Sequence, residues 1–184
     1  MKAAELAVDV AALRDRPLAE VFPAVGRLVG REPLGNGWST DEAARAALLC
    51  TASAAEITAL YRYGDAAEKR AVLKALAVDE VATILSADGD DPGIALLDDA
   101  IRTNDPRLIG AALGSPYATE KLPMASFRQA VLKCVFAGIP LAEVDGLPDR
   151  VDAELLRMMS DFAAERRAAG RAVPADLLPY LTER

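Results

Sequence analysis

Acid–base, nucleophilic and zinc chemistry most often run through histidine, and these 184 residues contain none. What remains able to react is a set of carboxylates, guanidiniums, amines and two cysteines. The adjacent pairs Asp90/Asp91 and Asp98/Asp99 diverge by about 100° on a helix and do not share a site. The run from Asp88 to Gly93, DGDDPG, resembles the oxygen-rich opening of a calcium loop. Pro92 falls inside it, however, and no Glu closes it at the twelfth position. Cys50 and Cys134 lie in the apolar runs ALLCTA and VLKCVF and read as free thiols, with no third cysteine for zinc. No G-x-S-x-G, phosphate loop or dinucleotide fingerprint is present. Three polar clusters are left as candidate binding groups. Arg102, Thr103, Asn104 and Asp105 mark a joint between helices; Arg128, Gln129 and Lys133 interrupt an apolar helix; Arg150, Arg157, Arg166, Arg167 and Arg171 alternate with acids near the end.

The elements that must carry these groups read as helices throughout. Ser39 with Glu42 and Ser53 with Glu56 are capping boxes, and Asp65 with Glu68 repeats the spacing. Asp79 reads as the cap of a short helix, and Gly64, Gly138 and Gly170 as stops. Asp91-Pro92, Asp105-Pro106, Ser115-Pro116 and, more loosely, Leu122-Pro123 each put proline where its missing N–H costs nothing. Lys2 to Leu13 is expected to form one amphipathic helix, and a second starts at Pro17. No strand signal is read, and Gly35 to Trp38 is taken as a loop ending an N-terminal helical appendage, residues 1–38. Residues 39–184 form the main helical domain. The expected fold is all-α, an irregular HEAT-like stack of about ten short helices, with a compact helical bundle as the alternative.

Composition narrows the function classes. The net charge is −7, and one stretch accounts for it: Asp79 to Asp99 holds seven acids and no base. That balance speaks against a nucleic-acid or anionic-membrane surface. Of the apolar residues 38 are Ala and only nine of the 184 are aromatic, so helices must pack closely through small side chains. No apolar run nears the roughly 20 residues of a membrane span and no leader opens the chain, so a cytoplasmic protein without membrane insertion is expected.

From Arg102 to Leu178 the chain resembles the EboA family, with a weaker likeness at WSTDEAARAALL from Trp38 to Leu49. The likeness rests on RTNDP (Arg102–Pro106), SPY (Ser115–Tyr117), Q-x-V-L-K (Gln129–Lys133), GLPDR (Gly146–Arg150) and ER-x-AAGR (Glu165–Arg171). Several positions depart from the family pattern. Phe127-Arg128 stands for Trp-Asn, Pro148 and Asp152 for Asp and Asn, and Phe162, Ala164 and Arg167 for Tyr, His and Trp. The resemblance implies a helical factor in metabolite traffic, supporting movement of a secondary-metabolite precursor across the inner membrane. The implied partners are a membrane prenyltransferase, other enzymes encoded beside it, or a small-molecule metabolite. It supplies no catalytic residue and no cofactor. With the motif residues added, the candidate ligand or partner contacts are Arg102, Asn104, Tyr117, Arg128, Gln129, Lys133, Asp149, Arg150 and Arg171. The resulting reading is a non-catalytic adaptor or carrier. Its rivals are a pathway enzyme with Asp or Glu as base and Arg as anion anchor, and a plain protein–protein scaffold.

Overall fold

The computed structural model describes residues 1–6, 8–87 and 91–181. Half of the calcium-like run, including Asp88 and Asp90 of the acidic stretch, lies outside the described residues. The chain is all-α apart from one small hairpin. In order it forms α1 (Ala11–Arg14), α2 (Leu18–Leu28), β1 (Pro33–Gly35), β2 (Trp38–Ser39), α3 (Thr40–Leu49), α4 (Ala54–Tyr63) and α5 (Ala66–Ala75). Then follow α6 (Asp79–Ser86), α7 (Pro92–Arg102), α8 (Pro106–Leu113), α9 (Pro116–Lys121), α10 (Met124–Ala137), α11 (Leu147–Arg150) and α12 (Ala153–Ala168). Single 3-10 turns span Ala3–Leu6, Leu141–Glu143 and Ala175–Tyr180.

Local chemistry sets most of these boundaries. Both serine capping boxes close, at Ser39/Glu42 and Ser53/Glu56. Asp91, Asp105 and Asp152 accept from the first free N–H groups of α7, α8 and α12. Gly138 ends α10 in the left-handed region, at φ 72°.

Four expectations change. The opening segment breaks into a 3-10 turn and the single turn α1, because the Asp9 carboxylate takes the Ala11 N–H at 2.9 Å in a local turn that competes with helix. Asp79 is not a cap but the first residue of α6, after Val78, and its N–H donates 2.8 Å to the Met1 carbonyl. Gly64 is extended rather than left-handed; a Cβ there would lie 2.5 Å from the Leu60 carbonyl oxygen and 2.9 Å from Glu68 Cβ. Finally, Gly35 to Trp38 is no plain loop. β1 and β2 pair antiparallel around it, with Asn36 at φ 49° and Gly37 at φ 77°. Positive φ at both central residues is the two-residue hairpin turn that Asn-Gly favours.

The helices stack in two layers. In one, α3 packs on α5, α5 on α8 and α8 on α10; in the other, α4 packs on α7 and α7 on α9. The layers are joined by the pairs α4/α5 and α7/α8, while α2 packs on α3 at one end and α12 on α10 at the other. A continuous apolar core runs through the stack from Leu6 to Leu177, with alanines at many of the closest approaches. Ala43, Ala44, Ala46, Ala71 and Ala75 are buried where α3 meets α5.

Candidate functional site

The hairpin brings its turn over the layer formed by α5, α8 and α10. Between them opens a cleft of about 580 Å³. Its floor is Gly110, Ala111 and Gly114 from α8 and its cap, and one wall is Gly138, Ile139 and Pro140 after α10. The small residues are what leave the space. A Cβ at Gly110 would already stand 3.2 Å from a Glu143 carboxylate oxygen and 3.7 Å from Ile139. The opposite wall is Trp38 with Arg70 and Lys74 of α5, and Arg107 and Glu143 complete the polar lining.

This polar wall rests on a charge network at the start of α3. Glu42, almost wholly buried, accepts the Ser39 N–H at 3.0 Å, pairs with Arg70 at 2.7 Å and bonds Lys74 closely. Lys74 also donates to the Gly37 carbonyl, and its ammonium sits 4.7 Å above the Trp38 ring centroid. One lysine thereby fixes the hairpin turn, the indole and the α3 cap together. Burial pulls the Lys74 pKa down, and Glu42 only partly restores it. Behind it Asp41 takes the Ser39 hydroxyl at 2.6 Å and Arg45 at 2.7 Å, while Arg45 Nε donates 3.1 Å to the Phe22 carbonyl. Arg107 is tied to Asp105 at 2.7 Å and 3.0 Å and stays exposed. The cleft therefore offers an indole face, an apolar floor and donor groups along one edge. Its described lining holds no hydroxyl or thiol. The two cysteines lie elsewhere, with their thiol pKa values pushed up by burial to about 11 for Cys50 and about 12 for Cys134.

None of the nine residues singled out in the sequence lines this cleft. Four of them join helices. Lys133 donates to the Ile101 and Thr103 carbonyls, both at 2.6 Å, and so closes the end of α7. Arg150 donates 2.8 Å to the Leu122 carbonyl and lies 4.1 Å over the Phe127 ring centroid. Tyr117 donates closely to Asp91, the cap of α7, and a Cβ at Gly93 would collide with its ring. Arg128 Nε reaches both Asp152 oxygens at 3.1 Å. The other five, Arg102, Asn104, Gln129, Asp149 and Arg171, are exposed. Lys133 ties α10 to the end of α7, beside the exposed Arg102 and Asn104. The cleft residues that sequence reasoning passed over are Trp38, Arg70, Lys74 and Arg107. The Asn36-Gly37 turn was the signal that a hairpin presents Trp38; nothing local marks Lys74 as its partner.

The family model for the metabolite traffic protein EboA matches residues 28–182. The chain belongs to that family. No curated protein and no solved structure matches it. The match takes in the hairpin, every wall of the cleft and the helix-joining residues. Arg128 and Asp152, both expected from the resemblance to depart from the family pattern, form one ion pair here. Ala164 and Arg167 are exposed on α12. Among the described residues no group of His, Cys, Asp and Glu is placed to hold a metal ion, and no helix is long and apolar enough to cross a membrane.

Proposed function

We propose that this protein is a non-catalytic carrier in metabolite traffic, holding a small molecule between the hairpin turn and the α5–α8–α10 layer. The observation that carries the reading is the cleft itself: about 580 Å³, within the range of small-molecule sites, with an indole wall and a glycine-alanine floor. The ligand class that fits has a flat or apolar body for Trp38 and an acceptor-rich head for Arg70 and Arg107. The family's name, one of traffic rather than of a reaction, supports binding over turnover. So does the engagement of Lys74, whose ammonium already serves Glu42, Gly37 and the Trp38 ring. The exposed Arg102, Asn104 and Gln129 are proposed as contacts for a protein partner, a membrane prenyltransferase or another enzyme encoded beside it, in the cytoplasm.

Native mass spectrometry of protein purified gently from its own host tests the carrier reading. A retained small mass in the wild type, lost in Ala111→Phe with an unchanged thermal melt, is the expected outcome. A ligand retained equally by Ala111→Phe would place binding elsewhere. Bare protein that co-purifies with another chain would replace the carrier with an adaptor.

A further inference from the structure

A smaller cleft of about 240 Å³ between α2 and α4 has only acids among its charged lining residues. The larger cleft carries both signs, and there the two do not meet. On its α5 wall Glu42 is shared by two cations, Arg70 and Lys74, so that wall keeps a positive surplus. In a chain of net charge −7 such a surplus is a property of the place. Lys74 is taken up by Glu42, the Gly37 carbonyl and the Trp38 ring. Arg70 meets Glu42 through Nη1 at 2.7 Å and stays partly exposed, which leaves donors of its planar fork for a guest. Arg107, one turn before Gly110 on α8, adds a second guanidinium that Asp105 steadies.

Glu143 supplies the other sign. It ends the 3-10 turn Leu141–Glu143, and that turn is fastened at several points. The Leu141 N–H donates 2.9 Å to the Asp176 carboxylate, and the Glu143 N–H 2.9 Å to the Pro140 carbonyl. Just beyond, the Asp145 N–H donates 2.9 Å to the Leu113 carbonyl at the end of α8. Two glycines let the turn approach α8 closely. A Cβ at Gly114 would stand 3.4 Å from the Glu143 carbonyl oxygen, and one at Gly110 3.2 Å from its carboxylate. The carboxylate therefore lies over the glycine floor on the Ile139 side, with Arg70 on the opposite wall. Among the described residues no lysine or arginine pairs with it, although three line the same cleft. The side chain is exposed and solvated, so it needs no partner for stability; its place is what matters.

A simple organic cation in this cleft meets two guanidiniums, and a simple anion meets Glu143. A guest with both charges suits both ends. Resting on the carrier reading above, we propose that the cleft selects a zwitterionic amino acid. Its carboxylate lies on Arg70 and Arg107, its ammonium on Glu143, and its flat or apolar side chain against Trp38. A guanidinium fork matches the two oxygens of a carboxylate, and an ammonium brings three donors to the opposite side.

Three probes share one carbon skeleton: phenylalanine, 3-phenylpropionate without the ammonium, and phenethylammonium without the carboxylate. Each is titrated against the full chain at pH 7 by isothermal calorimetry, with saturation-transfer NMR for weak binding. Phenylalanine is expected to bind roughly tenfold more tightly than either analogue, the size of one charge-assisted contact. Glu143→Gln should bring phenylalanine down to the level of 3-phenylpropionate with an unchanged thermal melt. Arg107→Gln should weaken phenylalanine and 3-phenylpropionate alike and spare phenethylammonium. Either analogue binding as tightly as phenylalanine, or phenylalanine binding that survives Glu143→Gln, would overturn the proposal and leave the carrier reading standing. So would no binding of millimolar phenylalanine to a protein that still retains a native mass lost in Ala111→Phe. With no probe bound and no mass retained, both readings fall.

Discussion

Arg45 shows what a single side chain contributes here. At 1% exposure it is the largest fully buried side chain described, and its guanidinium lies 5.5 Å from the Phe22 ring centroid. It joins α3 to α2 through the Phe22 carbonyl and holds Asp41 in place one turn away. A buried pair of this kind adds little over an apolar substitute, but losing one member strands the other. Arg45→Met is therefore expected to cost about 3–5 kcal/mol in urea unfolding at pH 7. The pH dependence carries the same signature. Burial opposes ionisation of Asp41, but the Ser39 hydroxyl and Arg45 outweigh it, so its pKa lies below the ordinary value. The unfolded chain thus takes up this proton before the folded one. The stabilisation is complete above the usual carboxylate pKa of about 4 and is lost as pH falls through the lowered folded value. In Arg45→Met that acid loss should flatten or reverse, as read from urea midpoints at pH 7 and 3.5. An unchanged slope would remove Arg45 from the account.

At the scale of elements, the hairpin is the smallest unit and the one on which the cleft most depends. A Cβ at Gly37 would meet open space, so only its φ of 77° stands against substitution. Gly37→Ala should then cost about 1–2 kcal/mol through backbone strain alone. It should also weaken any ligand of the larger cleft, since the Gly37 carbonyl is one of the anchors of Lys74. Equilibrium unfolding and a ligand titration on the same variant check both. The helices were legible because their signals are local. Ser39, Ser53, Asp91, Asp105 and Asp152 each cap the helix that their spacing announces. The hairpin was missed because Asn36-Gly37 is flanked by too few alternating apolar residues to read as strands, although the turn dipeptide itself is the signal. Lys133 and Arg150 were recognisable as polar groups on apolar helices, but their targets are carbonyls about 30 residues distant in sequence. No local pattern carries such a pairing.

Across the whole molecule, each layer of helices touches mainly its neighbours, so stability should grade from the middle of the stack outward. α3 and α5 bury the most continuous surface, with Ala46, Leu49, Val72 and Leu73 fully enclosed. α12 presents a largely polar outer face and packs on α10 and the closing 3-10 turn. Hydrogen exchange followed by mass spectrometry should find the α3 and α5 amides opening only with global unfolding, and those of α12 opening earlier. Exchange in α3 as fast as in α12 would contradict a graded stack.

Trp38 is the sole tryptophan of the chain and stands at the mouth of the larger cleft with an ammonium over its ring. The molecule thus carries its own optical reporter at one defined place. A guest that displaces Lys74 or covers the indole changes the only tryptophan emission there is. Candidate cargo can be screened on unlabelled protein by intrinsic fluorescence.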